Sequence, residues 1–141
     1  MKTVTLGSTG IVSPKNAFGA LPIQRVSEDY AGRLLRRAYE AGFTFFDTAN
    51  MYTDSEKKIG LALHDVRDKI YIATKTGARD AETFWKHLNN SLEMLQTDHI
   101  DQRQGYKERG RDDYPCPVHP LTSPFGYILR SRPRYDRLSG R

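Results

Sequence analysis

FTFFDTANMYTDSEKKIGLALHDVRDKIYIATKT, residues 43–76, is the stretch whose reading decides the fold. It opens on the aromatic run Phe43 to Phe46, a strand by its β propensity. Asp54 or Ser55 then starts a helix through Ile59, Ala62 and Leu63, with Glu56 as a first-turn acid that suits the helix dipole. Gly60 in that helix signals close packing. Ile70 to Thr74, β-branched and aromatic, makes the next strand. Strand, helix and strand follow one another here as a βα unit and the start of a second.

The same pattern extends in both directions. Upstream, Asn16 to Leu21 is a short strand, and Ser27 is an N-cap followed by Glu28 and Asp29. Tyr30, Leu34, Leu35, Ala38 and Tyr39 recur at three-to-four spacing on the ensuing helix until Gly42 stops it. Downstream, Asp80 caps a helix with Phe84, Leu88, Leu92 and Leu95 as its buried stripe and Trp85 as a packing residue, and His99 to Asp101 begins a fourth strand. Strand starts near 16, 43, 70 and 99 recur at the length of one strand, one helix and two short loops. The fold class is therefore α/β, with a parallel sheet covered by helices. An open dinucleotide-binding sheet carries G-x-G-x-x-G after its first strand, whereas Gly19 is the only glycine there, which favours a (β/α) barrel. Thr3 to Val12, turned at Gly7 to Gly10, reads as a hairpin ahead of the barrel strands.

Charge and proline divide the chain near Asp101. Residues 1–101 carry 13 basic and 13 acidic side chains, while residues 102–141 carry 9 and 4 and so the whole net charge of +5. Five of the seven prolines also lie in that tail. One domain at 1–101 and a basic, irregular or disordered tail at 102–141 is the expected organisation. Cys116 is the only cysteine, which excludes an internal disulfide framework and offers no ligand set for a metal or an iron-sulfur cluster. No apolar run reaches the roughly 18 residues of a membrane span, and MKTVTLGSTG lacks the apolar stretch of a secretory signal, so a cytoplasmic protein is expected.

Chemistry in a parallel βα protein gathers where strands end. Asp47 closes the second strand, Tyr52 lies in the loop after it, and Lys75 follows the third. A phenol with an ordinary pKa of about 10 donates its proton more readily beside an ammonium, which favours the phenolate. A carboxylate such as Asp47 would hold that ammonium in place, giving a Tyr-Lys-Asp relay.

GFTFFDTANMYTDSEKKIGLAL (residues 42–63) resembles the signature of the aldo-keto reductase family, YIATKTG (residues 71–77) the segment with that family's catalytic lysine, and LGSTGIVSPKNAFGAL (residues 6–21) its N-terminal hairpin and first strand. The resemblance covers roughly residues 1–101. It implies a partial (β/α)8 TIM barrel, namely the hairpin plus three to four βα units, and hydride transfer between NADP(H) and a small carbonyl substrate. Carried over, Tyr52 is the general acid, Lys75 its activator and Asp47 the group that orients Lys75. Gly19, Ala20 and Leu21, together with Asp47, would line the nicotinamide end of the cofactor. The family's fourth strand continues as an apolar run ending in a substrate-orienting histidine; here Tyr106 stands near that place, and His119 sits among prolines. That role is not transferred, and most of the cofactor site has no counterpart in this sequence. A barrel of this type needs roughly 250 residues, so a truncated or out-of-frame product is the simplest expectation, with association through the exposed half-barrel surfaces. Two rivals remain: a non-catalytic fragment that binds a partner subunit, and nucleic-acid binding by the Arg- and Tyr-rich tail. The second is unfavoured, because no nucleic-acid-binding signature accompanies the charge.

Overall fold

The computed structural model describes residues 1–7, 9–105 and 127–129. Two short strands, β1 (Thr3–Thr5) and β2 (Val12–Pro14), pair antiparallel as the expected hairpin. Four further strands, β3 (Phe18–Gly19), β4 (Phe45–Asp47), β5 (Tyr71–Thr76) and β6 (Ile100–Gly105), are parallel neighbours in chain order. A doubly wound sheet reverses its order at a switch point, and among the described residues none occurs. Right-handed crossovers in unbroken order put every helix on one face. That layer is α1 (Glu28–Glu40), α2 (Ser55–Leu63) and α3 (Ala81–Met94).

Local chemistry sets the ends of these elements. Ser27 Oγ accepts from the Tyr30 N–H and Asp80 Oδ1 from the Thr83 N–H, each satisfying an orphan donor of a first turn. Gly42, at φ +91°, takes the left-handed conformation that ends α1. The buried face of α1 keeps Leu35, Ala38 and Tyr39 of the expected stripe and differs from it at two positions. Ala31, Leu35 and Ala38 point inward, whereas Tyr30 and Leu34 are exposed. Two small residues on the inner stripe, Ala31 and Ala38, let α1 lie close to the sheet, so the centre of the stripe runs through Ala31, Leu35 and Ala38 and leaves Tyr30 and Leu34 at the solvent edge.

The sheet has a core on each face. Phe46, Ile72 and Ile100 meet Leu35, Ile59, Leu63, Leu88 and Leu95 in the helix layer. Phe45 and Ala73 meet Ile11 of the hairpin on the other face, with Leu6 and Tyr71 packed against them. Because Phe45 and Tyr71 begin their strands, the hairpin plugs the N-terminal ends. The opposite ends stay accessible for chemistry.

β6 crosses the change in composition at Asp101. It continues in parallel register with β5 through Gln102, Arg103, Gln104 and Gly105. A strand ladder is made by backbone groups, so it persists into a segment without apolar side chains. β7 (Tyr127–Leu129) then pairs antiparallel with β6, so these three residues of the tail are regular. The expectations for the rest of the tail, with Tyr106, Cys116 and His119, lie outside the described residues. Among the described residues no helix is long and apolar enough to cross a membrane, and no group of three metal-binding side chains is brought together.

Candidate active site

Alternation along β4 and β5 builds the site. Phe46, Ile72 and Thr74 face the helices, so Phe45 and Asp47, with Ala73 and Lys75, share the inner face. Asp47 pairs in register with Ala73, which leaves Lys75 two residues further toward the C-terminal end and diagonal to the carboxylate. Lys75 Nζ donates to both Asp47 oxygens, at 2.6 and 2.7 Å, and to the Thr48 carbonyl oxygen at 2.9 Å. These three bonds use all three donors of the ammonium. The lysine lies inside β5 rather than just after it.

Tyr52 follows in the loop, with Lys75 Nζ 5.7 Å from its ring centroid. The expected relay is thus refined. The ammonium meets the tyrosine at the ring, a cation–π distance, while its hydrogen bonds go to Asp47 and Thr48. The loop is anchored at several points. The Asn50 N–H donates to the Lys75 carbonyl, and Asn50 Nδ2 reaches the His87 carbonyl and Ser91 Oγ of α3 at 3.4 and 3.3 Å. Thr53, directly after Tyr52, has φ +36°, a conformation strained for a β-branched residue and typical of functional loops.

Of the residues expected at the cofactor, Gly19 ends β3 in register with Asp47 and has open space where a side chain would stand. Ala20 is fully buried and donates its N–H to the Asp47 carbonyl at 2.8 Å. Leu21 is exposed and opens a 3-10 turn, Leu21–Arg25. All three adjoin the Asp47 end of β4.

Ser55 and Glu56 are more than a cap and a dipole acid, as the sequence had suggested. Both are buried. Ser55 Oγ donates to the Ala20 carbonyl and lies 3.0 Å from Thr48 Oγ1, while the Asp54 side chain makes no capping bond. Glu56 accepts from Thr74 Oγ1 at 2.6 Å, behind the strand that carries Lys75. A polar pair in a helix–sheet layer needs such mutual satisfaction to be tolerated. Their burial is not visible in the local sequence, because their partners Ala20 and Thr74 lie 35 and 18 residues away.

The Asp47–Lys75 pair adds little to stability. Its side chains are 38 % and 32 % exposed, and pairs this open are worth about 0–1 kcal/mol.

Comparison with known proteins identifies the family. The sequence profile of the Aldo/keto reductase family matches residues 13–104. L-galactose dehydrogenase of Arabidopsis thaliana is 38% identical over 111 residues, covering 68% of this chain and 35% of that protein. A methylglyoxal reductase of Escherichia coli is 37% identical over 71 residues, covering 48% of this chain and 25% of that protein. The solved holo form of an aldo-keto reductase from Bacillus halodurans superposes with a TM-score of 0.68 at 29% identity, over 74% of this chain and 40% of its own. The chain spans well under half the length of these relatives. The family profile, and a fold matching part of its TIM barrel, place this chain in the aldo/keto reductase family.

Proposed function

We propose that the chain carries the proton-donating half of an NADP(H)-dependent aldo/keto reductase active site, acting on a small aldehyde or ketone in the cytoplasm. The observation that carries this reading is the Lys75–Asp47 pair, bonded at 2.6 and 2.7 Å on the inner face with the Tyr52 ring 5.7 Å away. Tyr52 serves as the general acid, giving its hydroxyl proton to the carbonyl oxygen. Lys75 stabilises the negative charge left on the phenol, and Asp47 keeps the ammonium charged and fixed.

The residues present fit the nicotinamide end of the dinucleotide. Gly19 leaves open space at the end of β3, and Asp47 retains an accessible carboxylate beside it. When bound, the cofactor would supply the hydride. Gly19, Ala20, Leu21 and Asp47 would line it, while the described residues show no comparable set of groups for the pyrophosphate and 2′-phosphate. The names of two relatives identify them as reductases of methylglyoxal, which makes this ketoaldehyde a suitable first substrate.

The deciding experiment titrates the chain with NADPH, follows quenching of the dinucleotide fluorescence, and then adds methylglyoxal. Saturable quenching followed by loss of NADPH absorbance is expected. Absence of quenching would reject the reading. A second reading rests on Tyr30 and Leu34, exposed on α1 although both are large and apolar. They suit a non-catalytic chain that docks on another subunit, and co-purification with a full-length reductase would favour it.

A further inference from the structure

Lys58 lies within α2 with only 3% of its surface exposed. A buried ammonium is costly unless it is paired and hydrogen-bonded. Here all three donors are used: Nζ donates to the carbonyl oxygens of Ile23 at 3.0 Å and Val26 at 2.8 Å, and pairs with Asp54 Oδ2 at 2.7 Å. The two carbonyls belong to the end of the Leu21–Arg25 turn, where the Ile23 carbonyl also accepts from the Val26 N–H and a cation suits the carbonyl end of the turn. Asp54 belongs to the loop that carries Tyr52. Lys58 therefore joins the two loops flanking Asp47. Ser55 Oγ to the Ala20 carbonyl and Thr53 Oγ1 to Gln24 Oε1, at 3.0 and 3.3 Å, run alongside it in the same seam. The neighbouring Lys57 behaves differently, pairing in solvent with Glu28 at 2.9 Å.

We propose that Lys58 is a positioning residue that fixes the Leu21–Arg25 turn against α2 and thereby sets affinity for the dinucleotide at Gly19–Leu21. It acts through the loop, not on the Asp47–Lys75 pair. This inference rests on the reductase reading, and its test separates the two.

The full chain is compared with K58M, D54N and K57A by backbone hydrogen exchange over residues 20–26, by NADPH titration and by steady-state kinetics. For K58M the expected result is faster exchange in that segment and about tenfold weaker NADPH binding, because the turn must then be ordered on binding. Its kcat at saturating cofactor should stay within about twofold. D54N, which leaves the lysine in place, should move the same two readouts in the same direction by less, and it carries the test if K58M does not fold. K57A should match the unaltered chain. Unchanged exchange in K58M and D54N, or faster exchange with unchanged NADPH affinity, would overturn the proposal. An unaltered chain that bound no NADPH would instead defeat the reductase reading, while the exchange comparison would still decide whether Lys58 holds the turn.

Discussion

Tyr52 is where the proposed chemistry is most exposed to a single-atom test. Tyr52→Phe removes one hydroxyl and keeps the ring that faces Lys75. If that hydroxyl is the general acid, turnover of methylglyoxal should fall about 10²- to 10⁴-fold while NADPH affinity and thermal stability hold. Single-turnover kinetics beside a fluorescence titration would show the split, and a variant as fast as the parent would remove Tyr52 from the mechanism. Asp47, Tyr52 and Lys75 stand out in the sequence because position at the strand ends and family resemblance point to the same residues. Ser55, Glu56 and Lys58 were not. Charged or polar side chains near a helix start are normally solvated, and only the folded chain reveals that Ala20, Ile23, Val26 and Thr74 wait beneath them.

At the scale of elements, the number and order of βα units were readable, but the exact faces were not. Of the stripe expected on α1, Leu35, Ala38 and Tyr39 pack inward with Ala31, whereas Tyr30 and Leu34 face solvent. Gly60 was read correctly. A Cβ there would stand 2.4 Å from the Met94 carbonyl oxygen and under 3 Å from Leu95 backbone atoms at the end of α3. Gly→Ala inside a helix normally gains about 1 kcal/mol of propensity, but these contacts are backbone and cannot rotate aside. Overpacking of about 1–3 kcal/mol should win, so Gly60→Ala is expected to lower the urea midpoint. A raised midpoint would mean that α2 and α3 separate freely. The cap of α3 gives a pH signature. The Thr83 N–H, donating to the Asp80 carboxylate, holds it below the usual aspartate range, with the Thr83 side chain adding to the effect. A depressed carboxylate stabilises the fold fully above its ordinary value, and that contribution is lost as pH falls through the depressed one. The thermal stability difference between the parent chain and Asp80→Ala should therefore be present at about pH 7 and shrink in acid, and a constant difference would count against the cap.

For the whole molecule, the decisive contact is a clasp at the N-terminal ends of β5 and β6. Arg67 and Asp101 are 9% and 8% exposed by side chain and pair at 2.7 Å. Asp101 Oδ2 also accepts from the Ile72 N–H of β5, while Arg67 donates to the Ile70 and His99 carbonyls and to Thr97 Oγ1. One guanidinium thus ties the turn before β5 to the segment entering β6, the strand that runs on past the change in composition. Removing one member of a buried pair leaves the other uncompensated, so Asp101→Ala should cost about 3–5 kcal/mol. Isolated buried pairs can often be replaced by two apolar residues at little cost, and that offers a sharper test. Here Arg67→Met with Asp101→Leu would also strip the Arg67 donor from the Ile70 carbonyl and the acceptor from the Ile72 N–H, each worth about 1–3 kcal/mol when buried and unmet. The double variant should therefore remain destabilised by an amount close to that of Asp101→Ala in urea unfolding. If it regained the parent stability, Arg67 and Asp101 would be an exchangeable pair, and the register of β5 on β6 would rest on the strand ladder and the apolar core alone.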